Sequence, residues 1–89
     1  MTAPTDEAGL RRVVLDALLE VAPDIDPAAL DASQPLREQV DFDSMDQLNF
    51  VTALHQKLGV DVPESDYNAL GAIDGAVRYL AERLGVAVP

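Results

Sequence analysis

Apolar residues recur at helical spacing in three stretches of the chain, whereas strict alternation of apolar and polar residues never extends beyond a few positions. In the first stretch Leu10, Val13, Val14, Ala17, Leu18 and Val21 follow the i, i+3, i+4, i+7, i+8, i+11 series and share one helix face. Thr5 or Asp6 is placed to cap this helix and Pro23 to end it; Leu15 and Leu19 fall off the stripe. The second stretch predicts a helix from about Ser44 to Leu58, closed by Gly59. The third predicts a helix from about Asp74 to Leu84, with Ala76, Val77, Leu80 and Leu84 inward and Ile73 as a hydrophobic staple just before it. Gly85 then releases a short tail. Between the first two helices runs a long connection, Pro23 to about Asp43, interrupted by Pro27 and Pro35 and anchored by Ile25, Leu30, Leu36 and Phe42. Asp26 to Leu30 has room for a single helical turn, Val60 to Pro63 reads as extended, and Glu64 to Leu70 as a short turn or helix. The expected architecture is all-α: a four-helix bundle of three long helices and one short one, with a long loop between the first and second helices. One domain accounts for residues 1–89, with 1–5 and 86–89 expected to be flexible.

The second helix has two apolar sides. Measured from Ser44 at about 100° per residue, Phe50, Leu54, Leu58 and Val51 occupy an arc of about 240 to 340°, the natural core face. Leu48 falls at its rim, and Met45 and Thr52 fall well outside it, flanked by Asn49 and Asp46. Two readings stand: Met45 covers the long loop, or Met45 and Leu48 present a docking face to a partner, a use to which flexible methionine is suited.

Composition narrows the function. Six Lys and Arg against sixteen Asp and Glu give a net charge of −10 over 89 residues. Nucleic acid and anionic lipid are poor partners for such a chain, and basic protein surfaces are good ones. Disorder is disfavoured by the 48% hydrophobic content. With no cysteine there is no disulfide framework and no thiol nucleophile. An acidic start and the lack of any long apolar run predict neither a leader nor a membrane span, hence a cytoplasmic chain that is not a membrane protein. The charge is uneven: eleven acids lie between Asp24 and Asp74, against Arg37 and Lys57 as the only cations there, a net −9.

Within that acidic stretch, Asp41-Phe42-Asp43-Ser44-Met45-Asp46 opens the second helix. Ser44 and Gln47 have the spacing of a capping box, and Asp43 or Ser44 would serve as a plain N-cap. Three carboxylates around one hydroxyl exceed what capping needs and suit a basic partner. A calcium loop starting at Asp41 fails, since Met45 takes a ligand position, Asp46 replaces the turn glycine and Thr52 the closing glutamate. A serine hydrolase fails too: the single histidine, His55, lies eleven residues along the same helix, and no Gly-x-Ser-x-Gly elbow exists. An unmodified acidic adaptor, using the Met45 and Leu48 face, remains open.

Asp43-Ser44-Met45 resembles the Asp-Ser-Leu attachment motif of acyl carrier proteins. The resemblance runs from Leu10 to Leu80 and includes the long loop, Leu58-Gly59-Val60-Asp61-Val62-Pro63 and Val77-Arg78-Tyr79-Leu80. It implies a non-catalytic carrier whose Ser44 bears 4′-phosphopantetheine, transferred from coenzyme A by a phosphopantetheinyl transferase. Asp43 would help that enzyme recognise the site, Met45 stands where the family usually has Leu, and Asp46 matches the acid that often follows. The implied docking residues are Asp41, Asp43, Met45, Asp46, Leu48, Asn49 and Thr52. The partners would be acyl-loading and acyl-transferring enzymes with basic patches, drawn from fatty-acid, lipid or polyketide-type biosynthesis, and the carrier a monomer. Where the family commonly has Gly two residues before the Asp-Ser, the vicinity here reads Val40-Asp41-Phe42, and where fatty-acid carriers are rich in Glu the chain has Asn49, His55, Gln56 and Lys57. These departures favour a specialised stand-alone carrier, with a peptidyl or aminoacyl carrier as the alternative within the class.

Overall fold

The computed structural model describes residues 6–86. The expected flexible ends at 1–5 and 87–89 lie outside those residues, as does Thr5 as a candidate cap. Val86, assigned to the same tail from sequence, instead packs against the core and donates its backbone N–H to Ala81 O at 2.9 Å.

Three long helices form the frame: α1 (Glu7–Val21), α3 (Ser44–Leu58) and α4 (Ile73–Leu84), with a one-turn α2 (Leu36–Gln39) in the first connection. Asp6 caps α1 by accepting the Gly9 N–H at 2.8 Å. Of the predicted stripe, Leu10, Val14, Ala17 and Leu18 are buried, while Val13 and Val21 sit at its edges and are only partly covered. Against α1 pack both α3, through Phe50, Val51 and Leu54, and α4, through Ala76, Val77, Leu80 and Ala81. The fourth element is the 3-10 helix Glu64–Leu70, which spans the residues expected for a short helix. The architecture is thus the expected all-α bundle of three long helices and one short one.

Two details depart from the sequence reading. α4 starts one residue early: Ile73 is its first residue, is buried, and is held there because the Asp74 N–H donates to Ala32 O at 2.9 Å. The first connection also contains two helical turns, Pro27–Ala29 and α2, where one was expected. The second forms because Leu36 is drawn fully into the core while Pro35, with its fixed φ, sets the start of a turn. Gln39 closes it, its Oε1 accepting from the Asp31 N–H at 2.6 Å and its Nε2 donating to Asp31 O at 2.8 Å and Gln34 O at 3.1 Å. The Ser33 hydroxyl and amide bond the Asp31 carboxylate and hold it below the usual range, which fixes the turn's other end. A long loop of little periodicity is therefore an ordered structure, tied by Leu36 N–H to Gly71 O at 2.8 Å.

The 64–70 segment is clasped from two sides. Asp66 accepts from the Tyr79 hydroxyl at 2.7 Å and from Arg83 at 3.1 Å, and the Arg83 guanidinium lies 4.9 Å from the Tyr79 ring centroid. From α3, Gln47 Nε2 donates to Tyr67 O at 3.1 Å. Gly75 permits the close approach of α4: a Cβ there would lie 2.7 Å from Ala69 O. An alanine ordinarily gains up to about 1 kcal/mol over glycine inside a helix. Here the steric cost, about 1–3 kcal/mol for overpacking, outweighs it. Gly75→Ala is expected to lower the thermal midpoint; a rise in the midpoint would show that this approach is not tight.

Candidate functional site

Ser44 is the first residue of α3, and the cap that positions it is built by its neighbours. Asp43 Oδ1 accepts the Asp46 N–H at 2.9 Å, and Asp46 Oδ2 accepts the Asp43 N–H at 3.1 Å, a reciprocal capping box. The box expected between Ser44 and Gln47 is not formed, because Asp43 occupies the capping position and Gln47 reaches instead to Tyr67. The consequence is chemical: Ser44 is exposed and its hydroxyl makes no hydrogen bond among the described residues. The chain enters the helix through Phe42, which is buried and meets Phe50 edge-on, with ring centroids 6.3 Å apart. A buried anchor two residues upstream and a cap on both sides hold a free hydroxyl at a fixed place.

Ser44 opens onto a cleft of about 940 Å³ between the first connection, the head of α3 and the 64–72 segment. Its walls include apolar Phe42, Leu48 and Ala72, the amides of Gln47 and Asn68, and the guanidinium-bearing Arg37. The three acids expected around Ser44 are not brought together in it. Only Asp43 shares this cleft, while Asp41 and Asp46 line a second one, of about 600 Å³, with Asp24 and Asp26 on the other side of the first connection. The reading of three carboxylates beyond capping needs is corrected accordingly, since two of them form the capping box.

The outer side of α3 matches its sequence pattern. Met45 is 62% and Leu48 45% exposed, so Met45 does not cover the long loop. Asn49 and Thr52 are exposed on the same side, and the Thr52 hydroxyl donates to Leu48 O at 2.9 Å. Leu48 alone of these four lines the Ser44 cleft. His55 stands at the far end of the helix, with Nδ1 3.1 Å from Val60 O and 3.2 Å from Asp61, and has no role at Ser44. Sequence reasoning missed Arg37, Tyr67 and Asn68 as cleft residues. The proline-led turn anchored by Leu36 was the available cue for Arg37; the 64–70 segment has no periodicity that could place Tyr67 and Asn68.

Comparison with known proteins gives consistent results. The family described as phosphopantetheine attachment site matches residues 12–80. An acyl carrier protein of Campylobacter concisus is 33% identical over 76 residues, covering 85% of this chain and 91% of that protein. Acyl carrier proteins of Campylobacter curvus and Campylobacter hominis are 32% and 34% identical, over 85% and 80% of this chain.

The two sides of the cap separate stability from exposure. Asp43→Ala is expected to cost about 1 kcal/mol through the lost cap. Ser44→Ala and Met45→Glu are expected to stay within about 0.5 kcal/mol, as exposed positions do. Urea unfolding of the three variants checks this; equal losses at Asp43 and Ser44 would mean that Ser44 is the cap.

Proposed function

The chain belongs to the phosphopantetheine-attachment family of acyl carrier proteins, and from that premise we propose that Ser44 is its attachment residue. The observation that supports this most is the free, exposed hydroxyl at a doubly fixed helix start. The surroundings fit the group: a cleft with apolar walls and amide side chains adjoins Ser44, suited to an arm that carries methylenes and amides. When bound, 4′-phosphopantetheine supplies the thiol that the sequence lacks and holds acyl groups as thioesters.

The chain's own part in loading is to present a nucleophile. Ser44 Oγ attacks the β-phosphorus of coenzyme A, an O–P bond forms as the pyrophosphate P–O bond breaks, and 3′,5′-adenosine bisphosphate leaves. The hydroxyl proton passes to a base of the transferase, because no side chain of this chain accepts from Ser44 among the described residues. Asp41, Asp43 and Asp46 attract a basic partner surface; Met45 and Leu48, with Asn49 and Thr52 beside them, form the contact that fixes it. Modest apolar area there favours release after each transfer. The partners are the transferase and acyl-loading and acyl-transferring enzymes of fatty-acid, lipid or polyketide-type biosynthesis, served by a monomeric carrier in the cytoplasm. No described helix is long and apolar enough to cross a membrane. The relatives are named acyl carriers, which supports acyl over aminoacyl cargo.

Incubation with coenzyme A and a broad-specificity phosphopantetheinyl transferase is expected to add one arm to the wild type and none to Ser44→Ala, read by intact mass. An unmodified wild type, or equal gain by the alanine variant, would sink the proposal. In the same assay Met45→Glu is expected to lower kcat/KM about tenfold, the order of one lost interface contact of about 1.4 kcal/mol. Unchanged kcat/KM would remove Met45 from the docking face.

A further inference from the structure

Resting on the carrier reading of Ser44, we infer that Arg37 is a positioning residue for the prosthetic arm, its guanidinium pairing with the phosphodiester that joins the arm to Ser44. Arg37 and Ser44 line the same cleft, and Arg37 is the one cation among its lining residues. In a chain of net charge −10 with six cations, three are in ion pairs; Arg12, Arg37 and Arg78 make none among the described residues, and Arg37 is the one of these that lines the cleft. Arg11 bonds Asp74 at 2.8 Å, Lys57 bonds Glu20 at 2.8 Å and Arg83 bonds Asp66 at 3.1 Å. Arg37 has no carboxylate within ion-pair distance among the described residues, although Glu38 adjoins it and Asp43 and Glu64 share its cleft. Asp43 Oδ1 faces the Asp46 amide instead.

The platform that carries Arg37 is held more firmly than a solvent-facing turn requires. Leu36 beside it is fully buried and tied to Gly71 O, and Gln39 in the same turn is bound at three backbone sites of the preceding loop. Arg37 is the exposed cation of that turn, so the bonds fix its backbone beside Ser44. Electrostatics supplies the need. Modification places a further negative charge at the residue between Asp43 and Met45-Asp46, whose two carboxylates already occupy the favourable field of the helix start. A guanidinium in the same cleft offsets that repulsion, and its planar fork suits two phosphate oxygens. The covalent tether makes the encounter intramolecular, so a weak surface pair suffices.

The test uses apo and fully modified protein, with modification verified by mass, for the wild type, Arg37→Ala and Arg78→Ala, the last an exposed cation on α4 that controls for net charge. Modification is expected to lower the thermal midpoint of Arg37→Ala by about 2–4 °C more than that of the wild type or Arg78→Ala, as for loss of one surface ion pair. The Arg37 Nε–H resonance of the wild type is expected to shift on modification with the thiol free, and to move no further when the arm carries acetyl or malonyl. Equal midpoint changes in all three proteins, with an unmoved Nε–H resonance, overturn the assignment. So does a resonance that moves only on malonyl loading, which would assign the guanidinium to a cargo carboxylate. Absence of any added mass overturns the carrier reading itself, and the inference with it.

Discussion

The reciprocal bond between Asp43 and Asp46 is the constraint on which the candidate site depends. It satisfies donors at the start of α3 without using the hydroxyl between them, and so leaves Ser44 free while its backbone is fixed. Had Ser44 been the cap, its oxygen would have been spent on a helix amide and its rotamer tied to the helix. Phe42 complements the cap from the chain's other side: packed edge-on against Phe50, it holds the approaching strand of backbone so that the helix can begin only here. Exposure and order are usually opposed at a surface residue, and this pair of contacts provides both.

The same logic extends outward to the cleft. Its walls come from segments that sequence would class as loop, yet each is bonded to a long helix or to its flank. The first connection is tied to the start of α4 through Ala32 and Leu36, and the 64–70 segment to α3 through Gln47 and to α4 through Asp66. A three-helix frame alone would leave Ser44 on an open ridge. The short elements make a concave surface beside it, held by hydrogen bonds, one close glycine contact and single buried anchors, Leu36 in one and Leu70 in the other.

What was legible in the sequence follows the strength of periodicity. α1 and α3 were readable to within a residue because a full apolar stripe, a capping residue and a terminal glycine or proline agree at each. The place of Met45 off the core arc was readable for the same reason, but whether it covered the long loop or faced outward was not. The identity of the cap was not: Ser-x-x-Gln and Asp-x-x-Asp overlap by one position, and only the backbone geometry decides between them. α2 was invisible because one buried leucine and a proline make a turn without a repeat, and with it Arg37 lost its place beside Ser44. The cleft had no sequence signature at all, since its walls are brought together by contacts such as Leu36 to Gly71, which are remote along the chain.

The charge takes on a different meaning once it is placed. Net −9 between Asp24 and Asp74 reads as one acidic field around Ser44, but the carboxylates are divided among tasks. Asp43 and Asp46 cap, Asp31 and Asp66 fasten loops, and Asp74 binds Arg11. Asp31, Asp43 and Asp46, bonded only to neutral donors, keep their charge in the long-range field that would draw a basic partner, whereas Asp66 and Asp74 are offset by Arg83 and Arg11. These acids contribute little to specificity at contact, where a partner must compete for oxygens already in use. In the docking proposed above, contact falls to the side of α3 that exposes Met45, Leu48, Asn49 and Thr52. On that proposal, rate of encounter belongs to the acids and choice of partner to a short stripe of uncharged residues, two properties that can change independently.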